Sequence, residues 1–384
     1  MRKNKSAMLL VTCSILAALL GGCSGSDNFA DAQSANQRSD SDRGTEVGDN
    51  SADAQDANVQ SSQNQAVEPL SQTFFIFDTV VNVKIYDNRA TTKNFEEVEA
   101  LMKNIDNKIS RTNPDSEIHK VNAQAGIAPV KVSPDTFELV SLAVDYAKET
   151  NGLLDPSIGP LVSLWNIGHE GAHVPPAKEI AAAQQLTDYR KIELNPEKHE
   201  IYLQVKGMEI DLGSYGKGYA ADAIYDYLAE QDFHSAIIDL GGNIFAMGSK
   251  PGGKTWNVGI QDPDQERGNP IGWVRVKDKT VVTAGIYERF FIEDGKLYQH
   301  IIDPRSGYPV DNNISSVTIV TDRSTDADTM DTSLLIMGIE EGLKFAENTP
   351  NTEVLFITKD KKLYATSGFK ELLKKTNDDY TFAN

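Results

Sequence analysis

Apolar and polar positions alternate in some stretches of the chain and recur with a helical period in others. Alternation over residues 81–85 predicts a strand at the start of the folded region. Apolar residues spaced three and four apart over residues 94–109 predict an amphipathic helix. A second helix is predicted over residues 133–152, because a serine and a proline can begin it and an Asn-Gly turn can end it.

The middle of the chain is less regular. Residues 153–165 form an apolar, turn-rich segment without a clean period. Three short strands are predicted over residues 192–210, where Asn195-Pro196 and Lys206-Gly207 mark the turns. A helix is expected to begin near Lys217.

Strands dominate the chain after that helix. The segments with strand-like patterns are 235–240, 243–247, 255–260, 272–276, 280–284, 290–293, 297–302 and 316–320. Two helices are predicted at residues 325–337 and 339–348, and two short strands follow them. Because strands occur in runs with helices between the blocks, we predict an α+β fold with mixed, mostly antiparallel sheets and flanking helices, in one large domain over residues 71–384.

The first seventy residues have a different pattern. Residues 1–22 join basic side chains to an apolar run too short for a membrane span, which predicts a signal peptide. The Leu-Gly-Gly-Cys ending resembles a bacterial lipoprotein box and predicts lipidation of Cys23; the alternative is an ordinary signal peptide with a chance cysteine. Residues 23–70 would then be the lipidated cysteine and a disordered polar tether. We therefore expect an extracytoplasmic protein, held by its lipid anchor at the outer face of the cytoplasmic membrane.

Composition excludes several kinds of chemistry. The only cysteines are Cys13, within the signal run, and Cys23, so the folded domain has no disulfide, thiol nucleophile or thiolate zinc site. The formal net charge of -19 argues against a nucleic-acid partner, since such proteins need a basic surface. An acidic protein that handles a phosphate ester would need help to balance the charge, and a divalent cation is the obvious candidate.

A candidate cation site lies in the run from Asp326 to Gly338. Asp331 and Thr332 follow Asp328 by three and four residues, so on a helix the oxygens of the three side chains share one face. We predict that these residues occupy the first turn of the helix. An oxygen-only set with two carboxylates suits Mg²⁺. The alternative is that the acids only complement the helix dipole, with Thr325 capping the same helix.

Two further segments could contribute chemistry. Asp211 to Gly218 is a glycine-rich turn that leads into a helix, where backbone groups and Lys217 could meet phosphate or metal; the alternative is a simple capping turn. His300 ends a predicted strand and could act as a general base, or could be a packed strand residue.

Familiar motifs occur in contexts that do not suit them. Residues 169–173 fit H-E-x-x-H, but nearby glycines and prolines oppose the helix that a zinc site needs. GSKPGGKT at residues 248–255 fits a P-loop, but a strand pattern follows, so a hairpin turn is the better interpretation. Ser214 and Lys217 fit the S-x-x-K of penicillin-binding enzymes, whose partner motifs are missing from the folded region.

The remaining motifs together resemble the ApbE family of flavin transferases. They are DPSIGPLVSLW at residues 155–165, DLGSYGKG at 211–218, DLGGNIFAMG at 239–248, HIIDPRSG at 300–307 and ADTMDT at 327–332. The resemblance implies a catalytic domain of the ApbE type, exported and dependent on Mg²⁺. Its substrate would be FAD, and it would transfer the FMN half to a Thr or Ser hydroxyl of an exported acceptor flavoprotein and release AMP.

The resemblance also implies roles for individual residues. The metal ligands would be the backbone carbonyl of Ser214 and the side chains of Asp328, Asp331 and Thr332. FAD would be contacted by Phe77, Ser157, Ile158, Gly159, Asp211, Lys217 and Ile302. The candidate catalytic residues are His300 and Asp331, and either His300 or a site carboxylate could be the general base.

The chain departs from the family pattern at two positions. Phe77-Asp78-Thr79 stands where the family often has Met-Gly-Thr, and Thr112 stands where it often has an aromatic residue.

Two other functions stay open. An FAD diphosphatase would give free FMN and AMP, and a non-catalytic FAD-binding lipoprotein would carry electrons without a metal at the pyrophosphate.

Overall fold

The structure is a computed structural model that describes residues 68–384. The predicted signal peptide, the lipidation site at Cys23 and nearly all of the predicted tether lie outside the described residues. The first strand begins at Leu70, one residue before the expected start of the domain.

The described helices are α1 (Thr92–Ile109), α2 (Glu117–Ala123), α3 (Pro134–Glu149), α4 (Gly159–Trp165), α5 (Ala177–Gln184), α6 (Gly216–Glu230), α7 (Ser324–Met337), α8 (Ile339–Glu347) and α9 (Ser367–Leu372). The described strands are β1 (Leu70–Ile76), β2 (Thr79–Ile85), β3 (Val130–Lys131), β4 (Ile192–Asn195), β5 (Glu200–Leu203), β6 (Ser235–Leu240), β7 (Asn243–Gly248), β8 (Trp256–Gln261), β9 (Pro270–Val276), β10 (Lys279–Gly285), β11 (Phe290–Glu293), β12 (Lys296–Gln299), β13 (Ile302–Asp303), β14 (Tyr308–Pro309), β15 (Ile314–Thr321), β16 (Glu353–Thr358), β17 (Lys362–Ala365), β18 (Leu373–Lys375) and β19 (Thr381–Phe382). None of these helices is long and apolar enough to cross a membrane.

One sheet of nine strands organises the described part of the chain, in the order β1-β2-β6-β7-β10-β15-β16-β17-β19. Its neighbouring strands are antiparallel except for β17 and β19. Two three-stranded sheets, β18-β9-β8 and β3-β5-β4, and the hairpins β11-β12 and β13-β14 complete the pattern. The predicted α+β fold with mixed, mostly antiparallel sheets and flanking helices is confirmed.

The nine-stranded sheet has helices on one face and a second sheet on the other. Val354 and Phe356 of β16 pack in a cluster with α7, whereas Leu355 and Ile357 pack with β8 and β9. Successive side chains of a strand point to opposite faces, so both faces of β16 are covered. Helices α1 and α6 cover β2, β6 and β7, while α7 covers β15 and β16. Helices α6 and α7 also contact each other, so they lie on the same face.

Smaller apolar clusters form on the remaining elements. One joins α2 and α3 to the sheet β3-β5-β4. Another contains Trp165 and joins α4 and α5 to the hairpins β11-β12 and β13-β14. Rings of Phe291 and Tyr298 lie against Trp165, which anchors the inner face of the β11-β12 hairpin.

Helices α6 and α7 meet at a glycine. A Cβ atom at Gly218 would lie 2.7 Å from the Cα of Thr325 and closer still to the carbonyl oxygen of Ser324. The α6 backbone can approach the start of α7 only because this position has no side chain.

A carboxylate of α6 caps the N-terminus of α7. Asp222 accepts hydrogen bonds from the backbone N–H groups of Ser324 and Thr325, at 2.8 and 3.0 Å, and from the Thr325 hydroxyl at 2.6 Å. These N–H groups have no partner within their own helix, so the cap satisfies them. Thr325 therefore does not cap its own helix, which corrects that alternative. Burial raises the pKa of Asp222, and the three hydrogen bonds oppose that shift.

Several predicted details of the fold were wrong. Helices α2, α4, α5 and α9 were not predicted, because segments of six to eight residues are too short to show a period and depend on packing. Strand β1 was not predicted either. The third strand expected before residue 210 is only an isolated bridge between Ile158 and Glu209. Residues 248–255 lead into strand β8, so they form no P-loop, but β7 and β8 belong to different sheets and the segment is not a hairpin turn.

Candidate active site

Asp328 joins the predicted cation site to the glycine-rich turn. Its side chain is fully buried, at 0% exposure. One carboxylate oxygen accepts a hydrogen bond from Lys217 Nζ at 2.6 Å, and the other accepts one from the backbone N–H of Gly218 at 3.0 Å. The two runs that the sequence singled out are therefore in direct contact.

A chain of hydrogen bonds connects the other members of the set. The Thr332 hydroxyl donates to Asp331 Oδ1 at 3.0 Å, and the hydroxyls of Ser214 and Thr332 lie 3.1 Å apart. Since Thr332 gives its one proton to Asp331, Ser214 is the donor to Thr332. The structure thus brings together Ser214, Asp328, Asp331 and Thr332.

The position of the two acids on α7 differs from the prediction. The helix begins at Ser324, so its first-turn acid is Asp326, which accepts a hydrogen bond from the hydroxyl of Tyr146 at 2.6 Å. Asp328 and Asp331 lie one turn further along. The prediction that they occupy the first turn was wrong, and so is the alternative that they serve only the helix dipole, whose effect fades after that turn.

The charges around Asp331 suit a cation. Burial raises the pKa of Asp331 well above its usual range, and the nearby Asp328 adds to the shift, while Lys217 and Thr332 oppose it. Burial alone would lower the pKa of Lys217, but Asp328 and Asp331 outweigh that effect and the net shift is upward. Two carboxylates that repel each other in a buried place gain most from a bound cation.

The available donors fit a small, hard metal ion. Among residues 68–384 no three or more His, Cys, Asp and Glu side chains are placed to hold a metal. A site here therefore depends on two carboxylates with hydroxyl and carbonyl oxygens, which suits Mg²⁺ with its retained waters or phosphate oxygens. Zinc sites in proteins are usually built around histidine or cysteine ligands, which this donor set lacks.

The predicted FAD contacts at Asp211 and at Ser157–Gly159 lie side by side. The backbone N–H of Asp211 donates to Pro156 O at 2.8 Å, and that of Gly159 donates to Glu209 O at 3.2 Å. A Cβ at Gly159 would lie 2.6 Å from the Glu209 carbonyl oxygen, so this approach needs glycine.

The side chains in these two turns are held from within the protein. Ser157 is fully buried; its hydroxyl donates to Asp155 Oδ1 at 2.6 Å and accepts from the backbone N–H of Asp188 at 2.7 Å. Asp211 accepts from Arg111 Nε at 3.0 Å and from the Gly213 N–H at 2.8 Å. The hydroxyl of Ser157 therefore stabilises the turn at residues 157–159 through hydrogen bonds within the protein.

The two predicted isoleucine contacts share one cluster, and Phe77 lies elsewhere. Ile302 is buried, and Ile158 packs against the same cluster around Trp165. Phe77 occupies the turn between β1 and β2 with φ 54°, and it packs against the cluster beneath α1 and α6.

His300 follows strand β12, and its ring is half-buried. Its Nδ1 lies 3.2 Å from the carbonyl oxygen of Arg289. Because a carbonyl only accepts, Nδ1 carries the hydrogen and Nε2 has the free lone pair. Burial lowers the pKa of His300 to about 4, and the charges of Arg289 and Lys217 act in the same direction. The ring is therefore neutral at pH 7 and a weaker base than an ordinary histidine.

Two of the familiar motifs fail on geometry. Residues 169–173 lie in turns and form no helix, so they cannot present two histidines on one helical face. Lys217 pairs with Asp328, and Ser214 hydrogen-bonds to Thr332, so the S-x-x-K pair makes none of the contacts of an acyl-transfer site.

Arg289, which lies beside His300, was not predicted as a site residue from the sequence. A usable signal existed: Asp294-Gly295 between two apolar runs predicts a two-residue hairpin loop. In the observed register Phe290 pairs with Gln299, which places Arg289 beside His300.

Comparisons with known proteins identify the family of this chain. The ApbE family model matches residues 77–356. The FAD:protein FMN transferase of Treponema pallidum (strain Nichols) is 36% identical over 324 residues, covering 80% of this chain and 90% of that protein. The crystal structure of the ApbE protein from Thermotoga maritima has a TM-score of 0.74 and 28% identity, covering 80% of this chain and all of that one. The flavin transferase ApbE from Vibrio cholerae has a TM-score of 0.70 and 29% identity, covering 80% of this chain and 99% of that one. The chain therefore belongs to the ApbE family.

Proposed function

We propose that this protein is a Mg²⁺-dependent FAD:protein FMN transferase. It attaches FMN through a phosphoester to a Thr or Ser of an exported acceptor flavoprotein and releases AMP. The observation that carries the proposal is the contact between Asp328 of α7 and the turn at Lys217 and Gly218. The names of the relatives support the flavin chemistry.

Each residue of the site has a task in this reaction. Asp328, Asp331, Thr332 and the Ser214 carbonyl would hold the metal, which when bound neutralises charge on the diphosphate. Lys217 supplies a fixed positive charge beside the same oxygens. The turns at Asp211 and residues 157–159, with Ile158 and Ile302, would line the FAD pocket. Phe77, which packs against a different apolar cluster, would add an aromatic contact from the turn between β1 and β2.

The transfer step balances as a displacement at the FMN phosphorus. The acceptor oxygen bonds to that phosphorus, the bond to the bridging oxygen breaks, and AMP leaves with the electron pair. The hydroxyl proton goes to Nε2 of His300 or to a site carboxylate. Placing these groups in line is the main task of the protein.

We further propose that the protein acts outside the cytoplasm, held to the outer face of the cytoplasmic membrane by a lipid on Cys23. The support is the pattern of residues 1–22 and the polar composition of the following segment. Palmitate labelling that fails in a Cys23→Ala variant would test this placement.

The proposed transfer is tested by incubating the full chain with FAD, Mg²⁺ and an exported flavin-acceptor protein. We expect AMP release together with an FMN mass on one threonine or serine of the acceptor. Free FMN with an unmodified acceptor would instead identify an FAD diphosphatase. Bound FAD without AMP release would identify an FAD-binding lipoprotein and overturn both enzymatic functions.

The pH dependence of transfer reports on His300. With its pKa lowered to about 4, the neutral, proton-accepting ring persists at all higher pH. At saturating Mg²⁺ we expect no histidine limb near the ordinary value of ~6.5, and a loss of kcat/KM only as the pH falls through about 4. The check is the pH–rate profile of the wild type against His300→Gln. A limb near pH ~6.5 that only the wild type shows would contradict this expectation.

A further inference from the structure

Arg289 is an exposed cation beside the site, with no ion-pair partner in the described part of the chain. Among residues 68–384 its guanidinium makes no ion pair or hydrogen bond. Its backbone carbonyl accepts from the His300 N–H at 3.1 Å and faces His300 Nδ1. Its aliphatic stem lies against Gly168, where a Cβ would come within 3.2 Å of Arg289 Cδ. The backbone and the aliphatic part of Arg289 are therefore held in place, while its guanidinium has no partner among the described residues.

The charge balance of the site leaves room for a second cation. Lys217 is paired with Asp328 at 2.6 Å, so its charge is largely used within the protein. Arg289 acts on the same region, since its backbone carbonyl lies 3.2 Å from His300 Nδ1 and its positive charge helps to lower the pKa of His300. With Lys217 and Asp328 cancelling each other, a bound Mg²⁺ and Asp331 would leave one net positive charge. Arg289 would supply the second, so that together they match the two negative charges of the FAD diphosphate.

The proposed reaction creates new charge on one product only. In FAD each phosphate carries one negative charge. After transfer the protein-bound flavin phosphodiester still carries one, whereas the phosphate of AMP leaves with two. An unpaired guanidinium, planar and able to donate two parallel hydrogen bonds, is suited to a phosphate that gains charge.

We propose that Arg289 binds the phosphate of the departing AMP and stabilises the charge that develops there. This inference rests on the proposed function and adds a residue to it. His300 is hydrogen-bonded to the Arg289 carbonyl. The candidate base, His300, and the group that holds the leaving phosphate, Arg289, therefore lie together at one end of the β11-β12 hairpin.

The test compares Arg289→Gln, Arg289→Lys and Arg275→Gln in the full chain. Arg275 is a matched control, since it is also exposed and without an ion pair among the described residues, but it lies on β9. Losing a charge-assisted pair should lower kcat/KM for FAD by ~10- to 100-fold in Arg289→Gln. Arg289→Lys should recover part of the rate, and Arg275→Gln should match the wild type.

Ligand binding gives a readout that does not depend on turnover. By calorimetry with EDTA present, Arg289→Gln should weaken AMP binding by ~10-fold or more and leave riboflavin binding unchanged. Equal AMP binding by Arg289→Gln and wild type, or a loss confined to riboflavin, would overturn the assignment. If the wild type transfers no FMN at all, the proposed function fails; if it transfers and Arg289→Gln does so equally well, only this inference fails.

Discussion

Asp331→Asn should abolish Mg²⁺-dependent FMN transfer while leaving the metal-free protein at least as stable as the wild type. The substitution removes one of two carboxylates that hold the cation, and we expect kcat/KM for FAD to fall by ~100-fold or more. It also removes a buried negative charge that Asp328 repels, as the raised pKa of Asp331 indicates. A residue needed only for folding would lower stability and activity together.

The pH dependence of stability sharpens this expectation. The ordinary pKa of this carboxyl is 3.8 and its folded value is higher, so above pH 3.8 the folded state holds a proton that the unfolded state has lost. In EDTA the wild type should therefore lose stability as the pH rises from 3.8 to the higher pKa of Asp331 in the folded state. Asp331→Asn should not show that loss.

The measurements are thermal unfolding in EDTA and in Mg²⁺, together with AMP release. Mg²⁺ should raise the melting temperature of the wild type and leave that of Asp331→Asn unchanged. Asp326→Asn is the matched control, because Asp326 lies on the same helix and can keep its Tyr146 contact as an amide. Full activity in Asp331→Asn would contradict the metal assignment.

Gly218→Ala should cause the largest loss of stability among small substitutions in the site. The added methyl would meet the backbone of Ser324 and Thr325, which cannot rotate away. We expect a loss of ~2 kcal/mol or more in the free energy of unfolding, because the helices must separate to fit it. The separation would also pull Lys217 away from Asp328, so Mg²⁺ binding should weaken with it.

Gly216→Ala separates this effect from helix propensity. Gly216 lies in the same helix, but its added Cβ would meet the Cδ1 atom of Ile109, the far end of a flexible side chain, at 2.7 Å. Chemical unfolding of both variants should show a clearly smaller loss for Gly216→Ala. Equal losses would mean that the approach at Gly218 is not what limits the packing of α6 against α7.

The sequence predicted which of these residues lie together better than it predicted the path of the chain. Asp328, Asp331 and Thr332 could be grouped because helical spacing is a local property, and the structure joins them to Ser214 and Lys217. Local spacing could not show where helix α7 begins. That boundary is set by Asp222, which caps the helix from a position 102 residues away from Ser324.

Other features depended on contacts that no local pattern reports. The Ser157 hydroxyl is held by Asp188, and Gly159 is required by the carbonyl of Glu209; both are tertiary contacts. The low pKa of His300 likewise follows from its burial and from the charges of Arg289 and Lys217. Sequence identifies the groups that can take part, whereas packing decides how basic or accessible each of them is.

The contact between Lys217 and Asp328 joins residues 111 positions apart. The intervening chain includes strands β6, β7, β10 and β15 of the nine-stranded sheet. Closing so long a loop is slow relative to forming local helices and hairpins. We therefore expect a nascent or refolding chain to acquire secondary structure well before it can bind its substrate, so that premature chemistry on FAD is avoided by the order of assembly.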